Sequence, residues 1–268
     1  MLILLPPSET KRDGGAGAPL DLDGLRFGEL KPVRRNVLAA VAALSRNREH
    51  SIRALKLGPK QAAEVDRNRA IRSSPTMPAL SRYTGVLYDA LDAQTLTEDQ
   101  WAFAGSTVVV QSALLGPVAA TDLIPAYRLS FDSRLSLEKG VATLKKRWAP
   151  AASSVFHAHP GLIVDLRSEG YAALGPLPGR PDAHYVRVLA RDGDGHVRAL
   201  NHFNKQAKGL FTRALIEAGT DFATTDELLA WAAAEGYELR AAGDGSAELE
   251  LIVPEVAGEP GALMAVLR

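Results

Sequence analysis

Cysteine is absent from the 268 residues. That removes thiol nucleophiles, thiolate metal ligands, cysteine-held iron–sulfur clusters, disulfides and thiol redox sensing. Net charge is absent as well: 31 Lys and Arg balance 31 Asp and Glu. The molecule therefore has no global positive field with which to coat nucleic acid. No stretch reaches the ~18–20 consecutive apolar residues of a membrane span, because charges or Pro and Gly interrupt each run. The apolar start Met1-Leu2-Ile3-Leu4-Leu5 stops at Pro6-Pro7 with no basic residue before it. It reads as a buried opening strand rather than a signal peptide or anchor, and the chain as cytoplasmic with no membrane partner. Also missing are a Walker A sequence, a G-x-G-x-x-G after a strand, a G-x-S-x-G elbow and an H-E-x-x-H pair.

What is present is 46% hydrophobic residues, enough for one ample core or two small ones. The neutral total hides an asymmetry. Residues 1–82 carry 15 basic and 8 acidic side chains, 83–119 carry 0 and 4, 120–215 carry 14 and 8, and 216–268 carry 2 and 11. Two basic blocks thus alternate with acidic ones.

Short apolar, β-branched runs predict strands at 108–115, 162–166, 185–189, 197–200, 237–239 and 248–253, in addition to the first. Helical patterns fall at 76–103, 136–149, 205–218 and 225–235. Asp192-Gly193-Asp194-Gly195 is a hairpin turn, and the later acidic ligands of an EF-hand do not follow it. Interleaved strands and helices with a hairpin predict an α/β fold with a mixed sheet and α+β character, one compact domain over 1–268. Residues 36–70 predict two basic helices around Leu57-Gly58-Pro59-Lys60, inserted on its surface.

Several groups carry chemistry. The loop after the first strand, with Ser8 and Lys11, leaves the strand end where open α/β sheets bind ligands. Lys205, Lys208 and Thr212 share a face at the start of a helix, which suits a phosphate and equally a solvated helix start. Ser168, Glu169 and Tyr171 leave the 162–166 strand, where they supply a general base or a helix cap. Tyr127 with Arg128 and Arg134, and Arg82 with Tyr83, Thr84 and Tyr88, pair aromatic with cationic side chains, a combination suited to stacking and anion contact. His157 and His159 would face one side of a strand and hold a metal, but no carboxylate repeat accompanies them, so a polar strand end before Pro160 is preferred.

In their order along the chain these stretches resemble the YaaA family of peroxide-stress-resistance proteins. The resemblance rests on residues 1–5 with Pro7-Ser8 and Lys11, Tyr83-Thr84-Gly85, Leu123-Ile124-Pro125-Ala126-Tyr127-Arg128-Leu129 with Arg134, and Leu144 to Trp148. It continues through Ser168-Glu169-Gly170-Tyr171, Lys205-Gln206-Ala207-Lys208-Gly209-Leu210 with Arg213, and Glu235-Gly236-Tyr237. It implies a cytosolic α/β protein with a basic cleft and a helix-hairpin-helix that binds duplex DNA with low sequence specificity. It also implies protection of DNA from peroxide, linked indirectly to keeping free iron low.

On that resemblance the DNA-binding set is Arg46, Arg48, Arg53, Lys56, Lys60 and Arg67. In the turn, Pro59 contributes no N–H donor to a phosphate. A competing expectation is an enzyme acting on a nucleotide or other small anion, with Glu169, Lys205 and Ser168 catalytic. Ser8, Lys11, Tyr83, Thr84, Tyr127, Arg128, Arg134, Tyr171, Lys208 and Arg213 would then bind the anion. No cofactor is expected, and six scattered His without Cys outline no iron site.

Overall fold

The computed structural model describes residues 1–137, 143–191, 197–199 and 204–254. Its centre is β1 (Leu2–Leu5), whose four residues are all buried. Leu and Ile without interruption fill a strand covered on both faces, each side chain contributing about 1.5–3 kcal/mol by leaving water. Around it lie β4 (Val108–Ser112), β5 (Gly116–Ala119), β7 (Ile163–Asp165), β8 (Ala183–Arg191), β10 (Glu238–Ala241) and β11 (Leu249–Pro254). The strand order is β10-β11-β8-β7-β1-β4-β5, with β9 (Val197–Ala199) pairing β8. The pairs β11/β8, β8/β7, β7/β1 and β1/β4 are parallel, and the flanking pairs are antiparallel. The mixed α/β class is as the sequence predicts. A small antiparallel sheet joins β2 (Gly17–Pro19), β3 (Pro75–Pro78) and β6 (Leu123–Ile124). The β8/β9 pairing accords with the predicted hairpin, but its turn at 192–195 lies outside the described residues.

Register sets the site. Leu5 lies beside Val110 and Leu4 beside Asp165, so β1, β4 and β7 end at one edge of the sheet. The loops that follow them meet there.

The basic segment is more broken than the sequence pattern suggests. It comprises α1 (Lys31–Leu44), α2 (Arg48–Ala54), a 3₁₀ turn at Pro59–Gln61 and α3 (Glu64–Arg69). The Asn47 side chain caps α2 by accepting from the His50 N–H at 3.0 Å, which fixes the break after α1. Val37, Val41, Leu55 and Val65 bury against the main core, so the segment is anchored to it rather than appended.

The predicted 76–103 helix is instead β3, α4 (Ala79–Arg82), α5 (Val86–Leu91), a 3₁₀ turn and α6 (Glu98–Thr107). Pro75, Pro78 and Gly85 divide it, and Gly85 sits at φ 97°, a conformation that favours glycine. His157 and His159 end a helix, α7 (Leu144–Ala158), and not a strand; its cap is Thr143, and Pro150 lies inside it. The remaining helices are α8 (Glu169–Ala172), α9 (Asn204–Ala218) and α10 (Thr225–Ala234). α9 approaches α5 so closely that a Cβ on Gly209 would lie 2.2 Å from the Leu87 carbonyl oxygen, a contact only glycine permits.

Candidate functional site

The loop after β1 turns back so that Lys11 bridges to Tyr83, antiparallel, while Arg12 N–H donates to the Arg82 carbonyl at 2.8 Å. This carries the Lys11 side chain inward, where only 6% of the residue is exposed. Its ammonium donates to the carbonyls of Ser8 (2.8 Å) and Glu9 (3.2 Å) and lies 4.2 Å from the centre of the Tyr127 ring. Burial, then the nearby charge of Arg128, bring its pKa down to about 7. Arg128, also buried, has an ion pair with the exposed Glu9. Its backbone is held on both sides by Asn68 of α3, which accepts from Arg128 N–H at 2.8 Å and donates to its carbonyl at 2.7 Å.

Beneath Lys11 runs a directional hydroxyl chain. Ser112 Oγ accepts the N–H groups of Leu114 and Leu115 at 3.1 and 3.0 Å, which uses both lone pairs. Its own proton therefore goes to Tyr127 at 2.7 Å, and the Tyr127 proton to Tyr83 at 2.9 Å. Tyr83, 2% exposed, ends the chain as the acceptor. Burial raises both phenol pKa values, so both stay protonated at neutral pH. Above, Ser8, Thr10 and Thr84 form an exposed cluster, with Oγ separations of 3.1 and 3.0 Å.

One strand over, Asp165 and Arg167 form a buried bidentate pair at 2.8 and 2.6 Å. Arg167 also donates to Gln111 at 3.2 Å and to the Gly175 carbonyl at 2.8 Å. The Lys208 ammonium, 4% exposed, donates to the Arg167 carbonyl at 3.1 Å and lies 5.4 Å from the Tyr185 ring centre. Burial lowers its pKa to about 8, against the opposing charge of Asp165. Gln111 and Ser112 are consecutive in β4 and so point to opposite faces. The Arg167 and Tyr127 networks therefore meet back to back at the sheet edge.

Ser168 is the N-cap residue of α8 without a side-chain cap bond, and exposed Glu169 lies 3.6 Å from Arg187. Arg187 is held more firmly by Glu248, at 2.8 and 3.0 Å. Tyr171 is buried, and desolvation raises its pKa to about 12. The structure therefore brings Ser8, Lys11, Tyr83, Thr84, Tyr127 and Arg128 together, with Ser168, Glu169, Tyr171 and Lys208 along the same edge. Lys205 is exposed, and its side chain has no hydrogen bond or ion pair among the described residues. Arg213 instead ties α9 to Asp92 (3.0 Å) and Thr95 (2.6 Å) and pairs with Glu217. Sequence reasoning passed over Ser112, Gln111 and Glu9. Only the strand-end position of the first two hinted at a role.

The basic segment has its own concavity, a groove of ≈ 550 Å³ between α1 and α2 lined by Leu44, Asn47, His50, Arg53, Arg134 and Ser136, among others. Of the cations expected here, Arg48 pairs with Asp66, Lys56 with Asp132, and Arg67 with Glu64 and Asp13. The side chains of Arg46, Arg53, Lys60 and Arg134 are without hydrogen bond or ion pair among the described residues. A second cavity, ≈ 330 Å³, opens beside Tyr83 and Thr84 and is lined by Arg12 as well as by Asp89 and Asp92. No described helix is long and apolar enough to cross a membrane.

A family model described as peroxide stress protein YaaA matches residues 1–242. The chain is 44% identical over 229 residues to a UPF0246 protein of Corynebacterium efficiens, covering 85% of this chain and 90% of that protein. It is 40% identical over 254 residues to a UPF0246 protein of Corynebacterium glutamicum strain R, covering 94% and 100%. To a UPF0246 protein of Streptomyces coelicolor it is 36% identical over 244 residues, covering 90% and 92%.

Proposed function

The chain belongs to the family of YaaA peroxide stress proteins, and from that premise we propose that it is a cytosolic protein that binds duplex DNA and so shields it under peroxide stress. Any lowering of free iron is then indirect. The observation that carries this reading is that Arg46, Arg53 and Lys60 on the α1–α3 segment have no side-chain hydrogen bond or ion pair among the described residues, and that Arg134 lines the same groove as Arg53. Unpaired guanidinium and ammonium groups are free to replace condensed counterions on a phosphate backbone, and the contact is blind to base sequence. Arg48, Lys56 and Arg67 join only where DNA phosphate displaces their carboxylates. The test is duplex binding over a salt series. Affinity that falls steeply with salt supports the reading, and no binding at low salt refutes it.

The second reading is an enzyme acting on a nucleotide or small anion. It is favoured by two buried amines, Lys11 and Lys208, at the sheet edge where α/β folds bind ligands. In it Lys11, Arg128 and Lys208 hold the anionic group and Glu169 acts as base or orienter beside Ser168, with Lys205 at the rim. Thermal stabilisation by a nucleotide would support it. A flat response across a broad nucleotide panel would exclude it.

A further inference from the structure

Residues 127–136 run from the Lys11 amine to the α1–α2 groove and expose one aromatic ring, Phe131, at 39%. Among the described residues the other exposed large hydrophobic side chains are Val86 and Leu123, both aliphatic. The Phe131 ring is held in place. It meets Tyr171 edge to face at 5.2 Å, and it covers Gly170, where a Cβ would lie 2.5 Å from it.

Three residues before it, the buried guanidinium of Arg128 is occupied by Glu9, whose side chain is 54% exposed. The Glu9–Arg128 ion pair and the Phe131–Tyr171 ring pair are thus joined by three residues of chain. A carboxylate from an exposed loop, seated on a buried guanidinium, occupies the place an anionic ligand would take. Three residues of chain span at most ~10 Å, the scale that separates phosphate from base within a single nucleotide.

We propose that Arg128 and Phe131 form a nucleotide subsite, in which a phosphate displaces Glu9 from Arg128 and an unpaired base stacks on Phe131. The inference deepens the nucleic-acid reading, because a base paired and stacked inside a duplex has no face to give. The chemistry is shared by a free mononucleotide and by an unpaired residue in a strand.

The experiment measures binding of inorganic phosphate, AMP, a single-stranded oligonucleotide, the same strand with abasic positions, and a duplex. The proteins are wild type, Glu9→Gln, Phe131→Ala and Phe131→Trp, each checked for an unchanged melting temperature. Glu9→Gln should tighten phosphate and AMP alike, several-fold. Phe131→Ala should weaken AMP and the intact single strand about tenfold, the usual scale for one lost base stack, leaving phosphate, the abasic strand and the duplex as they were. Phe131→Trp should restore binding and show indole quenching by base-bearing ligands. Preference for AMP over the strand, or the reverse, identifies the source of the nucleotide.

Equal losses for base-bearing and abasic ligands would overturn the proposal. So would AMP affinity that neither Glu9→Gln nor Phe131→Ala changes, or AMP that binds none of the four proteins. Duplex binding that persists through such a result leaves the duplex-DNA function standing. Loss of all nucleic-acid binding in wild type removes both.

Discussion

The two cation-rich regions of this molecule differ in what their charges touch. At the sheet edge Lys11, Lys208 and Arg167 are buried and spend their protons on carbonyls or on one buried carboxylate. On the α1–α3 segment the cations are mostly at the surface, and half of those expected to meet DNA are paired with Asp or Glu. Counting charges along a sequence treats these alike. Arg34, Arg82 and Arg167 are fully buried, and Arg34 is an internal strut donating to the Leu115 and Pro117 carbonyls at 2.9 and 2.7 Å. The basic excess of the first block is therefore smaller at the surface than in the sequence. What remains available for a partner is decided by pairing.

The largest expected contrast is in stability. Arg167→Met strands Asp165 in the core and should cost ~3–5 kcal/mol in urea unfolding, against at most ~1 kcal/mol for Arg48→Ala at its half-exposed pair with Asp66. Equal costs would erase the distinction between the regions.

Next comes pH. The pKa of Lys11 falls from 10.5 to about 7 on folding, so between those values the unfolded chain binds the extra proton and stability rises with pH. Below pH 7 both states are charged and the burial penalty is constant. Wild type should gain stability from pH 7 to 10, Lys208 adding a smaller rise above about 8. Lys11→Met should flatten most of that gain, and an unflattened curve would show that Lys11 stays charged.

A smaller effect is expected along the hydroxyl chain. Tyr127→Phe leaves the Ser112 proton without its acceptor and Tyr83 without its donor, at a cost of ~1–3 kcal/mol. A neutral substitution would mean the chain is incidental. The smallest is Lys56→Ala at an exposed pair with Asp132, where a change within ~1 kcal/mol is expected. A larger loss would mark that pair as structural, as Asn68 is for Arg128.

The sheet was legible in the sequence wherever strands are buried on both faces, because unbroken Leu, Ile and Val runs such as residues 2–5 and 108–110 admit few alternatives. α9 and α10 were legible from their periodicity. The 76–103 region was not, since pairing of Pro75–Pro78 with β2 and β6 is a long-range event that outweighs local helical pattern. Of the predicted 136–149 helix, residues 138–142 lie outside the described residues; α7 covers the rest from Leu144 and runs on through Pro150 to Ala158, although proline ordinarily breaks a helix interior.

Of the candidate site, Ser8, Lys11, Tyr83, Tyr127 and Arg128 could be named from their polar character at strand ends and in loops. Ser112 and Glu9 could not. The role of each depends on a partner far along the chain, Tyr127 and Arg128 respectively, and no local pattern encodes that meeting.

The account rests on unpaired cations, rather than total charge, engaging a phosphate backbone. The direct measurement is duplex-DNA affinity against salt for wild type and for the combined Arg46→Ala, Arg53→Ala, Lys60→Ala variant. Each lost phosphate contact lowers the slope of log affinity against log salt by about 0.9, so a slope shallower by roughly 2–3 is predicted, with weaker binding at every salt. The same slope in both proteins, or no duplex binding by wild type at low salt, would contradict it.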